Sequence, residues 1–178
     1  MNSRDDRRAF LVISKHRMVR HYLPKLQACL ERLDARSLWS EEAPGMNSIG
    51  GIAMHLIEHA ERNAARLLRP ETKFGQGIEQ YFPQTKSDPA DVSAELERAF
   101  AAFGEAVDRA DPAAADMYAI YHLVEHTGYH TGQIVDRVQR MTGARFRFVQ
   151  NGVNEQELKR SVDAELSGAE LPDAGKDV

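Results

Sequence analysis

Apolar residues recur every three or four positions along most of this 178-residue chain, while the strict alternation typical of strands is nearly absent. In the first segment, for example, Val12, Val19, Leu23, Leu26 and Leu30 fall on one helical face. This period predicts four long helices. Four long helices pack most economically as an antiparallel bundle. The sequence therefore predicts an all-α fold, an antiparallel four-helix bundle with a short C-terminal extension.

Prolines and glycines suggest where the helices end. The first helix covers roughly residues 4–34, and Pro24 predicts a kink or break near residues 20–24 because proline removes one backbone hydrogen bond. Residues 34–47 read as a connection. Residues 70–87 form a long loop, and loops of that length in compact domains are often functional.

Capping signals place the other helices. Asn47 or Ser48 is expected to cap the second helix, which runs to about Arg69. Asp-Pro pairs at 88–89 and 111–112 are expected to open the third and fourth helices. The fourth would then end near Thr142, before Gly143.

The C-terminal part reads differently. Residues 144–152 could be extended, and Asn154 followed by Glu157 has the spacing of a capping box before a short helix that ends near Leu166. We expect residues 1–166 to form a single domain and residues 167–178 to be a flexible tail.

Composition narrows the class of protein. The formal net charge is −4, and Lys and Arg are scattered along the sequence, so no nucleic-acid partner is expected. Cys29 is the only cysteine and lies in an apolar helical row, which favours a core position. No apolar run approaches the ~18 residues that a membrane span needs, and the short N-terminal run does not suit a secretion signal. We expect a cytoplasmic protein.

Five of the seven histidines lie in two windows: "HLIEH" at 55–59, and residues 122–130, which begin with "HLVEH" and end at His130. Residues four apart are neighbours on a helix, so each pair could direct two imidazoles at one ion. A site made only of histidines does not identify its metal. The H-x-x-E-H motif also occurs in zinc peptidases. That interpretation would need a carboxylate ligand and a separate base, and the sequence indicates neither.

A helical wheel ranks these histidines. The apolar arc of the fourth helix is expected to comprise Met117, Ile120, Tyr121, Val124, Ile134, Val135, Val138 and Met141. His130 flanks this arc, His126 lies slightly further round, and His122 is nearly opposite its centre, so His126 and His130 are the better ligand candidates. On the second helix His59 lies nearer the core than His55, and periodicity alone does not choose between them. Any one of these histidines alone would more often be a polar-face residue; their clustering favours a shared site.

Two segments resemble a known family. "PGMNSIGGIAMHL" at 44–56 and "YHLVEHTGYHTGQIV" at 121–135 are similar to the signature segments of the DinB-like (YfiT-like) superfamily of bacterial proteins. The resemblance implies a four-helix bundle, often a homodimer, with a divalent metal, usually zinc or nickel. It assigns the ligands as His55, His126 and His130, and it leaves the role of His59 in doubt.

The resemblance also bears on function. Three protein ligands leave a coordination position for water or substrate. We therefore expect a metal-dependent hydrolase of a small molecule, with an S-transferase that uses a low-molecular-weight thiol as the alternative, and a non-catalytic metal-binding or sensing bundle as the third.

No catalytic residue is assigned from the sequence. Gln133 and Glu125 are candidates to hydrogen-bond a ligand or bound water, and Glu58 is the other carboxylate within the motifs. Trp39 and Tyr129 could border the site, although a core or interface role is at least as frequent for such residues.

Overall fold

The computed structural model describes residues 3–148 and 154–169, and these ranges contain helices and no strand. The all-helical class predicted from the sequence is confirmed for them. The helices, in chain order, are α1 (Ser3–His16), α2 (Leu23–Leu30), α3 (Ala35–Trp39), α4 (Ile49–Leu68), α5 (Pro89–Arg109), α6 (Met117–Thr142) and α7 (Glu155–Ser167).

The first helical segment is irregular where Pro24 predicts a perturbation. A π-helical stretch, Arg17–Tyr22, joins α1 to α2. At its end the backbone N–H of Leu23 donates to the carbonyl of Met18, five residues back. Pro24 then occupies the first turn of α2, where its missing N–H needs no partner. The perturbation is therefore a π-helical insertion within a continuous helical segment.

Residues 34–47, predicted as a connection, join two longer helices but include one short helix. α2 ends at Leu30, and Asp34 starts the short helix α3 by accepting a hydrogen bond from the Ser37 backbone N–H at 2.7 Å. An Asp side chain that satisfies a free N–H in this way is enough to begin a helix of one turn.

Three predicted caps are confirmed. Ser48 caps α4, its Oγ accepting from the Gly51 N–H at 3.0 Å. Gly143 follows α6 with φ +70°, a left-handed conformation that glycine adopts without steric cost. Asn154 caps α7 by accepting from the Glu157 N–H at 3.0 Å. Residues 149–153 and 170–178, which include part of the predicted extended stretch and most of the predicted tail, lie outside the described residues.

The two Asp-Pro pairs differ. Pro89 is the first residue of α5, as predicted, although the Asp88 side chain makes no capping hydrogen bond. Pro112 does not begin α6. Asp111 instead accepts from the Ala113 N–H in a turn, while Asp116 accepts from the N–H groups of Tyr118 and Ala119. Because Asp116 satisfies two of the free N–H groups of the first turn, α6 begins at Met117.

The core lies mainly between α4, α5 and the first helical segment. Phe100 and Phe103 of α5 are fully buried, and so is Cys29. Burial raises the pKa of the Cys29 thiol to about 12, which suits the inert core residue that the sequence predicts. α4 packs against α5 and also contacts α6, which places the two histidine windows side by side.

The buried face of α6 is rotated from the predicted one. Tyr121 and Met141, expected in the apolar arc, are 53% and 40% exposed. Leu123 and Thr127 are buried in their place. Among the described residues, no helix is long and apolar enough to cross a bilayer.

Candidate metal centre

α4 and α6 bring four histidines together. His55, His59 and His130 are 1%, 6% and 6% exposed, and His126 is partly buried. The Nε2 atom of His126 lies 2.7 Å from Nε2 of His55 and 3.0 Å from Nε2 of His130. Nε2 of His126 is therefore in contact with one ring nitrogen from each helix.

The opposite ring nitrogens determine which atoms carry protons. Nδ1 of His55 lies 3.2 Å from the carbonyl oxygen of Tyr81, which can only accept, so Nδ1 is the protonated nitrogen. Nδ1 of His130 donates to Oε1 of Gln133 at 2.8 Å, and the amide nitrogen of Gln133 donates to the Tyr129 hydroxyl at 2.8 Å. In the neutral rings, Nε2 of His55 and Nε2 of His130 are therefore both bare acceptors.

This arrangement leaves one nitrogen lone pair beside His126 without a hydrogen-bond donor. Its single Nε2 proton can be directed at one of the two acceptors, and the other lone pair then faces no donor among the three rings. A cation among the three nitrogens would satisfy all three lone pairs. Outer hydrogen bonds that fix the ring orientation are also usual for metal-binding histidines.

Burial keeps these imidazoles neutral. It is the main cause that lowers the pKa of His55 and His126 to about 4, and the neighbouring His130 lowers both further. The pKa of His59 is lowered to about 3, again mainly by burial. Neutral imidazole is the form that binds metals, so the cluster is ready to coordinate at neutral pH.

The spacing fits an ion. Two nitrogens that are each about 2.1 Å from one metal lie roughly 3.0 to 3.4 Å apart for coordination angles between octahedral and tetrahedral. The 3.0 Å pair already has this spacing, and the 2.7 Å pair needs only a small outward rotation of one ring. The residues present therefore fit a divalent metal.

His59 extends the cluster. One nitrogen from each of His55, His59 and His126 lies within 4.8 Å of the others, and this trio could hold a metal ion. Nδ1 of His59 is buried without a hydrogen-bond partner among the described residues. The ring lies between His126 and the exposed His122, at centroid distances of 5.2 and 5.3 Å.

A cleft of about 370 Å³ opens beside His59. It lies between α4, the start of α6 and the long loop between α4 and α5, and its lining includes Arg62, Phe74, Glu79 and His122. The negative charge of Glu79 acts to raise the pKa of both His55 and His126, against the larger effect of burial. Glu79 thus lines the cleft beside His59 and is the carboxylate whose charge acts on the cluster.

Sequence reasoning missed three loop contributions: Glu79, the carbonyl of Tyr81, and Phe82, whose ring stacks on His55 at 4.4 Å. The only signal for them was the unusual length of the 70–87 loop. A loop has no periodic pattern of apolar residues, so its sequence does not indicate which of its residues contact the helices.

The remaining candidates are dispersed. Glu58 forms an ion pair with Arg62 at 2.7 Å, and Glu125 is exposed on α6. Tyr129 borders the cluster, its ring centroid 5.2 Å from that of His130. Trp39 donates to the carbonyl of Ser87.

Comparison with known proteins identifies a family. A family model described as the DinB superfamily matches residues 18–134, which is well over half of the chain and includes all four clustered histidines. No curated protein matches the chain, and no solved structure matches it either.

Proposed function

The chain belongs to the DinB superfamily, and we propose that it is a metal-dependent hydrolase of a small-molecule substrate. In this proposal His55, His126 and His130 hold one divalent ion, zinc or nickel, through their Nε2 atoms. A three-ligand set leaves room for water and substrate, which is the arrangement of a catalytic site.

The two short contacts of His126 Nε2, with Nε2 of His55 and Nε2 of His130, are the observation that carries the proposal. His130 is preferred to His59 as the third ligand because Gln133 fixes its Nδ1 and directs its Nε2 toward His126. His59 has no such partner at Nδ1 among the described residues. His59 then lines the approach from the cleft.

Residues around the metal site would have separate roles in the reaction. When bound, the ion would supply Lewis-acid chemistry and lower the pKa of a water molecule. Glu79 lines the same cleft as His59 and would act as the general base that accepts a proton from the attacking water. Phe82, stacked on His55, would exclude bulk water from that ring. The cleft would receive the substrate.

The metal site is tested by metal content. We expect about one divalent ion per chain in untagged protein expressed with added metal, and less than about 0.2 in His126→Ala, because removal of one ligand lowers affinity strongly. His122→Ala is the matched control: it removes an exposed histidine one turn away on the same helix and should retain the ion. Full metal occupancy in His126→Ala would overturn the site.

The reaction is tested with a panel of ester and amide substrates. Glu79→Gln should lower kcat by about 10²-fold or more while metal content stays unchanged, because it removes only the base. Glu125→Gln, an exposed carboxylate on α6, is the control and should keep full activity. Metal-dependent transfer of a low-molecular-weight thiol without hydrolysis would favour the S-transferase alternative. A metal-loaded protein inactive in both assays would favour a binding or sensing module.

Three structural expectations belong to the same proposal. The long helices would form an antiparallel four-helix bundle, the chain would assemble as a homodimer, and it would act in the cytoplasm. The family membership and the contacts of α4 with α5 and α6 support the first of these. Light scattering on the untagged protein tests the second, and a mass of one chain would contradict it.

A further inference from the structure

A second groove lies between the first helical segment and the chain that follows α6. It has a volume of about 270 Å³. One wall carries Arg20, His21, Lys25 and Arg32, and the other is the stretch 145–148, "RFRF". The groove shares no lining residue with the cleft beside His59.

The groove gathers positive charge in a chain whose formal net charge is −4. Among the described residues, five cations line it and no Asp or Glu does; the cations are Arg20, Lys25, Arg32, Arg145 and Arg147. Some cations outside the groove are paired, for example Arg17 with Glu155 and Arg62 with Glu58. Residues 149–153, "VQNGV", contain no charged side chain.

The four arginines have no counter-charge in the part of the chain that the structure describes. Within these ranges, none of their guanidinium groups forms a hydrogen bond or ion pair. Like charges held together in this way repel one another unless an anion is present. The free donors are also directional, because a guanidinium presents two parallel N–H groups that match an oxyanion.

Lys25 has a neutral partner. Its Nζ donates to Nε2 of His21 at 2.8 Å and lies 5.8 Å from the ring centroid of Phe148. Burial lowers the pKa of His21 to about 4, so that ring is uncharged at neutral pH. Glu155 acts on Lys25 from a distance, but both of its oxygens accept from Arg17 at 2.7 Å. The ammonium therefore retains most of its charge uncompensated.

The "RFRF" stretch gives the groove an apolar wall beneath its charged rim. Phe146 and Phe148 are half-buried against the core and stack at 4.8 Å, while Arg145 and Arg147 are exposed. This alternation turns the rings inward and the cations outward. Apolar walls strengthen the field of nearby charges, because less water screens them.

We propose that this groove binds a small phosphate-bearing molecule, a polyphosphate or phosphate ester with at least two negative charges. Several guanidinium groups converging from two segments suit a polydentate oxyanion better than a single carboxylate. The volume is at the lower end for ligand pockets, roughly 300 Å³, which limits the ligand to a small molecule. The wall 145–148 lies beyond the family match, which ends at residue 134.

The test is calorimetric titration of the full chain with tripolyphosphate at low ionic strength. We expect one ligand per chain, with binding that weakens as salt is added. Arg32→Glu combined with Arg145→Glu should weaken binding by at least about tenfold, because it removes one cation from each wall. The control pair Arg109→Glu with Arg160→Glu changes the charge equally at exposed positions outside the groove and should bind as the parent does.

Two further measurements distinguish binding in the groove from binding at the histidine cluster and from loss of the fold. His126→Ala should bind tripolyphosphate unchanged, which shows that the ligand is not held by a metal in the histidine cluster. Circular dichroism should show the same helix content in the Arg32/Arg145 variant. If that variant is unfolded, Arg32→Gln with Arg145→Gln replaces it, and that pair should also weaken binding.

Three results would overturn the proposal: no binding by the full chain, equal loss in the control pair, or loss in His126→Ala alone. The source of the phosphate is resolved with a single-stranded oligonucleotide and with vesicles containing phosphatidylglycerol. Binding to either one without binding to tripolyphosphate would also overturn the small-molecule proposal.

Discussion

The side chain of Gln133 joins two aromatic neighbours on α6. Its Oε1 accepts from Nδ1 of His130 and its amide nitrogen donates to the Tyr129 hydroxyl. This pair of bonds fixes the tautomer of His130, so that its Nε2 carries the lone pair that faces His126. A residue that binds no metal itself thus determines how one candidate ligand is presented.

Gln133→Ala should therefore weaken metal binding by about 10- to 100-fold, the usual cost of removing a hydrogen bond to a ligand histidine. The measurement is a competition titration with a chromophoric chelator. Tyr129→Phe is the control: it removes the partner of the amide nitrogen but leaves the His130 hydrogen bond, and its effect should be smaller. Equal affinities of Gln133→Ala and the parent would show that Gln133 does not orient the ring.

The sequence predicts the histidines of the cluster better than their surroundings. Histidines four apart share a helical face wherever the helix lies, so the pairing of His126 with His130 follows from spacing alone. The choice of His55 depended on family resemblance and stays a prediction. The contact of His55 with the Tyr81 carbonyl depends on how a long loop folds back, which local periodicity does not encode.

At the scale of helices, the two aspartates at N-cap positions offer a matched comparison. Asp116 accepts from two backbone N–H groups at the start of α6, whereas the Asp88 side chain makes no capping bond at the start of α5. Asp116→Ala should lower the free energy of unfolding by about 1 kcal/mol, since two N–H groups lose their acceptor. Asp88→Ala should cost clearly less.

Urea denaturation of the two variants is the measurement. Equal losses would mean that the charge at the helix N-terminus, common to both aspartates, matters more than the hydrogen bonds.

The start of α6 was misplaced in the prediction because Asp111 and Asp116 are both of a residue type that often caps helices. Only the structure distinguishes them, since Asp111 accepts a hydrogen bond within its own turn.

Gly50 allows α3 to pack on the start of α4. A Cβ atom at Gly50 would lie 2.5 Å from the ring of Trp39, whose indole N–H donates to the carbonyl of Ser87. Gly50→Ala should therefore destabilise the protein by roughly 1 to 3 kcal/mol through overpacking. The ring is half-enclosed and anchored at its nitrogen, so it has little freedom to move away.

Gly132→Ala is the control, because Gly132 is exposed within α6 and a Cβ there meets nothing within 4 Å among the described residues. It should stabilise the protein by about 0.5 to 1 kcal/mol, since alanine loses less backbone entropy in a helix. Thermal unfolding of the two variants measures these changes in stability, which should have opposite signs. A neutral Gly50→Ala would mean that Trp39 can be displaced at little cost.

At the scale of the whole molecule, the folded chain separates its charges. Lys and Arg look scattered along the sequence, yet five of them meet in one groove formed by segments more than 100 residues apart. Four histidines lie together in a second cluster, where three are buried and one is partly buried, and where burial lowers their pKa values and favours the neutral form. The cationic groove and the histidine cluster both depend on packing between segments that are far apart in the sequence. Composition alone therefore did not indicate the groove.

The buried histidines also determine how stability depends on pH. The pKa values of His21, His55 and His126 are lowered to about 4 and that of His59 to about 3, chiefly by burial, from the ordinary 6.5. Below pH 6.5 the unfolded chain therefore takes up protons at these positions and the folded chain does not. The unfolded state gains free energy from this uptake, so stability falls as the pH is lowered from about 6.5 to about 4.

We expect the metal-free protein, held in a chelator, to be less stable at pH 5.5 than at pH 7.5 in urea denaturation. Each histidine contributes at most about 1.4 kcal/mol per pH unit, and the four contribute about equally between pH 7.5 and 5.5 because their pKa values in the folded chain all lie well below 5.5. His59→Asn removes one titrating group and should reduce the pH dependence, whatever its effect on stability at pH 7.5. Bound metal should raise stability at pH 7.5 and steepen the fall, since protons compete with the ion for the same nitrogens. A metal-free protein equally stable at both pH values would mean that these histidines titrate near the ordinary 6.5 in the folded chain, and that burial does not lower their pKa.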